Sequence, residues 1–336
     1  MNYNVAVVGA TGMVGRKMLQ VLAEYNFPVG QLFLFASARS AGKSVSWQAK
    51  TYTVEELTPT CMQNRGIHIA LFSAGGSLSL QYAPLFAAAG IAVVDNSSAW
   101  RMEADIPLVV PEVNADALEA HNGIIANPNC STIQAMVALK PLHDAFGLRR
   151  VIYSTYQAVS GAGQAGFDDL LHGAGGTPPQ KFPYPIFGNL IPQIDVFLPS
   201  GYTKEEQKMI DETRKILGLP DLRVTATTVR VPIAHSHSES INLEFIHPVT
   251  AQAARDVLMK APGVTVQDCP AEGVYPMPLF AADKEGVFVG RLRADDSAEN
   301  ALNLFCVADN IRKGAASNTV QIALALIERG LVHGAR

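Results

Sequence analysis

Tyr3-Asn-Val-Ala-Val-Val8-Gly-Ala-Thr-Gly-Met-Val-Gly15 is the stretch that decides the fold of the N-terminal part of the chain. Residues 3–8 predict a buried strand, and the apolar pattern that follows predicts an amphipathic helix to about Tyr25. The glycines between them permit a tight turn in which the backbone approaches a pyrophosphate closely, and the N-terminus of the helix binds the negative charge. The spacing is G-x-x-G-x-x-G rather than G-x-G-x-x-G, so the motif alone is a moderate signal and an ordinary strand–helix turn is the alternative.

The loop after the second predicted strand, residues 31–35, indicates which dinucleotide is bound. An NAD site carries an Asp or Glu about 20 residues past the glycines, where it binds the ribose hydroxyls. This chain has no acid there, but Ser37, Arg39 and Ser40. A 2′-phosphate is bound by an arginine fork and by hydroxyl donors. We therefore predict NADP over NAD, with a solvated loop as the alternative.

Strands and helices alternate as far as about residue 125. A predicted strand over 67–72 ends in a small-residue loop that begins at Ser73, a helix follows over 80–89, and another strand over 91–94. Such alternation predicts a parallel α/β sheet. Beyond the middle of the chain, residues 172–193 are rich in glycine and proline and predict little regular structure. Further strands are predicted over 151–157, 224–231, 241–245, 286–293 and 302–307, and a closing helix over 314–327.

Composition restricts the class of protein. The chain has 336 residues, of which 48% are hydrophobic and 17% charged, and its net charge is −4. These values suit a globular protein of two domains. The net negative charge also argues against a surface that binds nucleic acid. No apolar run reaches the roughly 18–20 residues that span a bilayer, and the N-terminus has no basic region, so we expect no signal peptide and a cytoplasmic location. The cysteines are widely spaced, which argues against disulfides and a metal cluster; they are Cys61, Cys130, Cys269 and Cys306.

The segment Asn127-Pro-Asn-Cys-Ser-Thr132 lies between a short predicted strand, 123–126, and an apolar run up to Pro141. Cys130 is therefore expected on a strand-to-helix turn, at or just before a helix N-terminus. The helix dipole favours negative charge there, so a thiol at this place has a lowered pKa and its thiolate is nucleophilic. The alternative is a buried structural cysteine, which is the commoner fate of a free thiol.

A clear helix is predicted after Thr203, which is a plausible N-cap with Glu206 at the capping-box spacing, and Gly218 is its expected stop. Glu205 and Lys208 are three residues apart and share a face of this helix. Most such charged pairs are simply solvated, so their position alone does not mark a site.

The strand-like region after residue 224 contains Arg230 and two histidines, His235 and His237. Histidine is the usual acid or base near neutral pH. The two histidines share a face if the chain there is extended. Periodicity does not choose between them, and a structural role is an equal alternative.

Segments that run from one end of the chain to the other carry a family resemblance: Gly9–Gly15, Ser37–Gly42, Pro107–Asn114, Asn127–Gln134, Thr155–Gly163, Pro192–Asp195, Arg230–Ile233, His237–Ser240 and Gly314–Ile322. Together they resemble the aspartate-β-semialdehyde dehydrogenase family. The cysteine segment and the Arg…His segment are highly specific, whereas the glycine turn is not.

The resemblance implies an activity: the NADPH-dependent reductive dephosphorylation of L-4-aspartyl phosphate to L-aspartate 4-semialdehyde and phosphate. This reaction serves the biosynthesis of lysine, methionine, threonine and isoleucine. In the reverse sense, Cys130 attacks the aldehyde, hydride passes to NADP, and phosphate cleaves the acyl-thioester; a thiolate so splits one difficult acyl transfer into two steps. The resemblance implies that His237, seven residues after Arg230, is the acid/base, and that Gln157 positions the thioester.

The resemblance also implies the ligand contacts. Arg230 binds the substrate α-carboxylate and Glu205 its ammonium group, while Arg101, Lys208 and Asn129 bind the phosphoryl group or inorganic phosphate. An arginine fork matches a carboxylate, and a lysine acts more as a point charge. The positions that match NADP(H) contacts are Gly9, Thr11, Gly12, Met13, Val14, Ser37, Arg39, Ser40, Ser73, Ser160, Gly161 and Gln321.

The implied fold is an α/β protein with an N-terminal Rossmann-like NADP-binding domain and an α+β catalytic and dimerisation domain that contains a mixed sheet. We place the first domain at 1–127, with a C-terminal helix at about 314–336 packing back on it, and the second at 128–313. A homodimer is implied, and the segment after Gly163 is shorter than in many members. His235 is an additional histidine near the implied base.

Two other functions remain alternatives. One is a related acyl-phosphate reductase, such as an N-acetyl-glutamyl-phosphate reductase, whose substrate has no free ammonium group and would leave Glu205 without an obvious partner. The other is a non-catalytic NADP-binding relative.

Overall fold

A computed structural model describes residues 1–332. The last four positions of the predicted closing helix, 333–336, lie outside the described residues. The chain forms two compact units, one made of Met1–Pro128 with the segment that begins at Ala315, the other of Asn129–Gly314. None of the helices within residues 1–332 is long and apolar enough to cross a membrane.

The first unit begins with eight strands and three helices. They are β1 (Tyr3–Val8), α1 (Met13–Glu24), β2 (Val29–Ala36), β3 (Ser44–Trp47), β4 (Lys50–Thr53), β5 (Glu55–Glu56), β6 (Ile69–Phe72), α2 (Gly76–Ala88), β7 (Ala92–Asp95), α3 (Pro111–Asn114) and β8 (Ile124–Ala126). Six strands form a sheet in the order β5-β2-β1-β6-β7-β8, and all its pairs are parallel. The predicted parallel sheet is confirmed.

Both faces of this sheet are buried. Along β1, Val5 and Val7 belong to one apolar cluster, while Ala6 and Val8 belong to another on the opposite face. Such alternation is the two-residue period of a strand, and burial on both sides is the usual state of a parallel sheet. All four residues are therefore apolar. The carboxyl ends of the strands, where the loops with the predicted cofactor residues begin, form one edge of the sheet.

The second unit contains α4 (Cys130–Phe146), β9 (Leu148–Gln157), α5 (Gln164–Gly173), α6 (Lys204–Leu217), β10 (Arg223–Arg230), β11 (His237–Phe245), α7 (Ala251–Leu258), β12 (Val264–Val266), α8 (Pro278–Ala281), β13 (Val287–Ala294) and β14 (Ala301–Ala308). Its sheet has the order β10-β9-β11-β14-β13-β12. The pairs at its two ends are parallel and the three central pairs are antiparallel. The predicted mixed sheet is confirmed.

After a π-helical turn, Arg312–Ala316, the chain returns to the first unit as α9 (Ser317–Glu328). Val320 and Leu326 of this helix belong to the same apolar cluster as Val5 and Val7. The closing helix thus covers one face of the parallel sheet.

The capping of α6 follows its sequence. The Thr203 hydroxyl accepts a hydrogen bond from the Glu206 N–H, the Glu206 carboxylate accepts one from the Thr203 N–H, and Gly218 ends the helix with a left-handed φ of 67°. Helix α4 extends beyond the apolar run noted up to Pro141, because it continues through that proline to Phe146. Proline lacks an N–H and normally interrupts a helix, but the apolar face around it is packed in the core; Ala138, Leu139 and Leu142 are fully buried.

Candidate active site

The candidate active site of the second unit is built on the first turn of α4. Cys130 is the first residue of this helix and is partly exposed, so its predicted place at a helix N-terminus is confirmed. Asn129 is the N-cap: its side-chain oxygen accepts from the Ser131 N–H at 3.0 Å and from the Thr132 N–H at 3.3 Å. The Asn129 N–H donates to the buried Glu212 carboxylate at 2.7 Å. The residue before the thiol is therefore held from both sides.

Four of the predicted site residues form one hydrogen-bond network. The Glu205 carboxylate accepts from Asn129 Nδ2 at 2.8 Å, from Gln157 Nε2 at 3.2 Å and from Lys208 Nζ at 3.1 Å. Lys208 also donates to Asp195 at 2.9 Å. The network joins the start of α4, the end of β9 and the first turns of α6.

The charges in this network compensate one another. Burial alone raises the pKa of Glu205, but the charge of Lys208 and the hydrogen bonds from two amides outweigh it, so the pKa lies below the ordinary value. Burial alone lowers the pKa of Lys208, but the charges of Glu205 and Asp195 raise it overall. Each partner thus keeps the other ionised.

The main chain of Ala158 forms hydrogen bonds with two further polar residues of the site, His237 and Arg230. Its N–H donates to Nδ1 of His237 at 3.0 Å, and its carbonyl accepts from Arg230 Nη1 at 2.6 Å. The His237 side chain is fully buried, and the Arg230 guanidinium also lies over the ring of Phe182, 5.9 Å from its centroid. One residue at the end of β9 therefore orients a cation and an imidazole.

Burial lowers the pKa of both His237 and Arg230. It lowers the pKa of His237 well below the usual value, and the positive charge of Arg230 lowers it further. Burial also lowers the pKa of Arg230, against the opposing charges of Glu205 and Cys130. Cys130 is thus close enough to the guanidinium to interact with it electrostatically.

The chain between the two histidines is not extended, so the condition under which they would share a face is not met. Ser236 between them has a left-handed φ of 71°, and its N–H donates to the side-chain oxygen of Asn310 at 3.0 Å. The turn leaves His235 exposed, beside the ring of Phe167 at 5.5 Å, and turns His237 into the interior. A left-handed serine is uncommon and is kept only where its surroundings determine it.

Gly161 lies against Arg230 and His237. A Cβ at this position would lie 2.9 Å from Arg230 Nη1 and 3.2 Å from His237 Nε2. Ser160, also predicted to contact the cofactor, is buried and its hydroxyl is 3.2 Å from the side-chain oxygen of Asn310. Only glycine leaves the space in front of the two polar groups open.

Gly314 packs directly on the candidate nucleophile. A Cβ at this position would lie 2.8 Å from the Cβ of Cys130 and 3.3 Å from its Cα. The glycine belongs to the π-helical turn Arg312–Ala316. Such turns are rare in proteins, and those that occur often lie at functional sites.

In the first unit, two glycines of the glycine turn pack closely against neighbouring backbone, where a side chain would not fit. A Cβ at Gly9 would lie 2.3 Å from the Ser73 carbonyl oxygen, and one at Gly15 would lie 2.2 Å from the Gly9 carbonyl oxygen. Gly12 is the N-cap of α1, and no side chain of residues 1–332 caps it. The helix begins with Met13 and Val14, so its first N–H groups are available to an anion.

The loop after β2 lies next to this turn. The Thr11 hydroxyl donates to the Ser40 hydroxyl at 3.3 Å. Ser37 precedes a short 3₁₀ turn, Ala38–Ser40, on which Arg39 is exposed. An uncapped helix terminus with hydroxyls and an arginine beside it fits a dinucleotide that carries a 2′-phosphate.

Two more predicted residues lie in the first unit. Arg101 is buried; its Nε donates to the Asn127 carbonyl at 3.0 Å and its Nη2 to the Asn96 carbonyl at 2.9 Å. Gln321 on α9 donates to Glu112 at 3.3 Å. The predicted site residues are thus divided between the units, with the glycine turn, Ser73, Arg101 and Gln321 in the first.

Sequence reasoning missed three residues of the site: Ala158, Glu212 and Gly314. Glu212 had a detectable signal, because it lies seven residues after Glu205 and therefore on the same face of α6. Ala158 acts through its main chain, which no side-chain pattern encodes. Within residues 1–332, no group of three or more histidine, cysteine or acidic side chains is arranged to hold a metal ion.

Comparison with known families assigns the class of both units. Residues 4–121 match the family described as semialdehyde dehydrogenase, NAD binding domain. Residues 139–313 match the family described as semialdehyde dehydrogenase, dimerisation domain. The chain thus has the fold of a semialdehyde dehydrogenase. The first unit contributes the parallel sheet with the glycine turn, and the second contributes the mixed sheet and the thiol at the start of a helix.

Individual relatives narrow the class. The chain is 53% identical to the aspartate-semialdehyde dehydrogenase of Aquifex aeolicus, over 99% of this chain and 100% of the relative. It is 46% identical, with a TM-score of 0.92 and coverage of 98% and 99%, to aspartate semialdehyde dehydrogenase II of Vibrio cholerae complexed with ASA. It is 26% identical, with a TM-score of 0.79 and coverage of 99% and 100%, to the Candida albicans enzyme solved with NADP. The chain belongs to the aspartate-semialdehyde dehydrogenase family.

Proposed function

We propose that the chain is an NADP-dependent aspartate-semialdehyde dehydrogenase that reduces L-4-aspartyl phosphate to L-aspartate 4-semialdehyde and releases phosphate. The observation that carries this proposal is Cys130 at the start of α4, with its neighbour Asn129 hydrogen-bonded to Glu205. Membership of the family and the solved relatives with ASA and with NADP support it.

Cys130 is the nucleophile. The helix terminus favours its thiolate, and the sulfur attacks the acyl-phosphate carbon and displaces phosphate, which leaves an acyl-thioester. His237 is the acid/base, and it lies with Arg230 beside Gly161. Gln157, which donates to Glu205, positions the thioester.

The substrate's fixed charges are bound by the buried groups around the thiol. Arg230 binds the α-carboxylate, because its planar fork matches two carboxylate oxygens. Glu205 binds the ammonium group. Lys208 binds phosphate with the third hydrogen of its ammonium group, since two are used for Glu205 and Asp195.

Arg101 and Asn129 are also assigned to phosphate. Arg101 is held by two main-chain carbonyls. The oxygen of the Asn129 side chain caps α4 and one amide hydrogen goes to Glu205, so its contribution is the second amide hydrogen.

NADP(H) supplies the hydride when bound. The glycine turn and the first N–H groups of α1, from Gly9 to Val14, hold its pyrophosphate. Arg39, with Ser37 and Ser40, holds the 2′-phosphate. Ser73, Ser160, Gly161 and Gln321 complete the predicted contacts.

The family supports proposals for the assembly and the location. We propose a homodimer formed through the second unit, in accord with the family described as a dimerisation domain. We also propose a cytoplasmic location, where the reaction supplies biosynthesis of lysine, methionine, threonine and isoleucine.

Replacing the nucleophile tests the proposal. Cys130→Ala should abolish the phosphate-dependent reduction of NADP by aspartate semialdehyde and leave NADP binding intact, because the cofactor turn lies in the other unit. Cys269→Ala is the matched control, since that thiol is also partly exposed but precedes only a three-residue 3₁₀ turn, Pro270–Glu272, instead of a long α-helix. Retained activity of Cys130→Ala would overturn the assignment of the nucleophile.

The same assay separates the alternative functions. Turnover of the acetylated, one-carbon-longer semialdehyde in preference to aspartate semialdehyde indicates the related acyl-phosphate reductase. NADP binding without turnover of either aldehyde indicates a non-catalytic relative.

A further inference from the structure

The 180–191 segment, which lies between α5 and α6 in the chain, contacts Arg230 at two places. Its last residue, Ile191, pairs with the main chain of Arg230: the Ile191 N–H donates to the Arg230 carbonyl at 3.0 Å, and the Arg230 N–H donates to the Ile191 carbonyl at 2.9 Å. Near the start of the segment, the Phe182 ring faces the guanidinium, with 5.9 Å between the ring centroid and Cζ of Arg230. The segment therefore holds both the main chain and the side chain of this arginine.

Asp169 of α5 anchors the start of this segment. Its side chain is buried, and Oδ1 accepts from the Gln180 N–H at 2.8 Å. Oδ2 accepts from the Lys181 N–H at 2.8 Å and from the Phe182 N–H at 3.0 Å. Hydrogen bonds to a carboxylate are roughly twice as strong as those between neutral groups. One side chain thus fixes the main chain of three consecutive residues, of which the last carries the ring.

The Phe182 ring is also held by packing. It contacts a small apolar cluster of the second unit, whose buried members are Val159, Ile186 and Ile191. On α5, a Cβ at Gly166 would lie 3.1 Å from Cζ of Phe182. The helix therefore approaches the ring so closely that a side chain at Gly166 would press on it.

An aromatic ring suits this position because it orients a cation without using its hydrogen-bond donors. The guanidinium of arginine has five N–H donors, and the Ala158 carbonyl accepts from Nη1. The ring leaves the remaining donors to a carboxylate. Arg230 is buried, and a desolvated cation gains more from an aromatic face than an exposed cation does.

We propose that Asp169 and Phe182 are positioning residues for Arg230: the carboxylate fixes the main chain at 180–182, and the ring fixes the guanidinium in the orientation that binds the substrate α-carboxylate. The inference rests on the proposed function, which assigns that carboxylate to Arg230. Both residues act through Arg230, so they set the affinity for the carboxylate and not the chemistry at Cys130.

Phe182→Leu removes the aromatic face and keeps an apolar side chain in the cluster. We expect the KM for aspartate semialdehyde to rise about 2- to 30-fold, which corresponds to the roughly 0.5–2 kcal/mol of a cation–π contact at about 1.4 kcal/mol per tenfold. The contact is made equally before and during the reaction, so kcat should stay within about twofold of the unchanged enzyme. An unchanged KM would overturn the proposal.

A second ligand separates positioning of Arg230 from a general structural role. 3-Aminopropanal is aspartate semialdehyde without its α-carboxylate, so its binding gains nothing from the orientation of Arg230. Its inhibition constant, measured in competition with aspartate semialdehyde, should be the same in Phe182→Leu and in the unchanged enzyme. An inhibition constant that rises as much as the KM for aspartate semialdehyde would overturn the proposal.

Asp169→Asn tests the anchor and leaves the apolar cluster intact, so it also serves if Phe182→Leu does not fold. The amide keeps one acceptor oxygen and places an NH₂ group against a main-chain N–H, so the KM for aspartate semialdehyde should rise by up to the same factor. Asp168→Asn is the matched control: it removes the same charge one residue earlier, from a carboxylate that accepts from the Gln164 side chain at 2.9 Å, and its KM should be unchanged. Equal KM values in the two variants would overturn the role of Asp169.

The proposed function is decided separately. An unchanged enzyme that does not turn over aspartate semialdehyde, or a Cys130→Ala variant that does, contradicts the proposed function itself. An active unchanged enzyme whose KM is the same as that of Phe182→Leu contradicts only the role of the positioning residues.

Discussion

Gly314→Ala tests how closely the π-helical turn positions the candidate nucleophile. The new Cβ would lie 2.8 Å from the Cβ of Cys130, whereas ordinary van der Waals contact begins at 3.4 Å. The two atoms must therefore separate by about 0.6 Å to reach ordinary contact. Cys130 cannot shift freely, because the preceding residue, Asn129, is bound through its main chain to Glu212 and through its side chain to Glu205.

The expected loss follows from this displacement. A misplacement of about 1 Å costs about 10²-fold in rate, so a shift of 0.6 Å should lower kcat by roughly 10- to 100-fold. Overpacking should also lower the free energy of unfolding by about 1–3 kcal/mol. We would measure kcat with aspartate semialdehyde, phosphate and NADP, the rate of thiol alkylation, and urea unfolding.

Gly175→Ala is the matched control, because a Cβ there would meet only the His172 carbonyl oxygen, at 3.5 Å. It should leave kcat unchanged and change stability by less than about 1 kcal/mol. A Gly314→Ala variant with the unchanged kcat and the unchanged alkylation rate would refute the reasoning, since the thiol would then not depend on the contact.

Two further substitutions address the cofactor and the core. Arg39→Ala should raise the dissociation constant for NADP far more than that for NAD, because only NADP has the 2′-phosphate; equal losses in a fluorescence titration would remove the argument. Glu239→Gln should stabilise the protein at pH 7: the carboxyl is buried, burial raises its pKa well above the ordinary 4.5, and the folded state then holds a proton that the unfolded state has lost. The free energy of unfolding of the unchanged protein should fall as the pH rises from about 4.5 to the raised pKa of Glu239, by up to about 1.4 kcal/mol per pH unit. In urea unfolding, the stability advantage of the variant should vanish below about pH 4. An advantage that stays constant with pH would contradict the raised pKa of Glu239.

Features that depend on neighbouring residues could be predicted from the sequence. The capping box of Thr203 and Glu206 needs only two side chains three residues apart, and both hydrogen bonds form. The glycine turn likewise follows a buried strand and opens a helix. The place of Cys130 at a helix start follows from its polar neighbours, because Asn129 is a favoured N-cap residue.

Features that depend on distant residues could not be predicted in this way. The left-handed backbone of Ser236 goes with a hydrogen bond to Asn310, 74 positions further along the chain. That turn, rather than the period of a strand, decides that His237 is buried and His235 exposed. The roles of Ala158 and Gly314 arise from a main-chain contact and from a missing side chain, and neither leaves a pattern in the sequence.

The ion pairs around Glu205 bear on which acyl phosphate the site accepts. In the structure Glu205 and Lys208 neutralise each other, and Asp195 adds a second partner for the lysine. A substrate that carries both an ammonium and a phosphoryl group can give a cation to Glu205 and an anion to Lys208, so each residue gains a partner of opposite charge. An N-acetylated substrate brings the phosphoryl group without an ammonium group. If it drew Lys208 away, Glu205 would be left buried and charged without a cation, which is strongly unfavourable. The buried pair therefore favours a substrate with a free amino group, in accord with aspartyl phosphate.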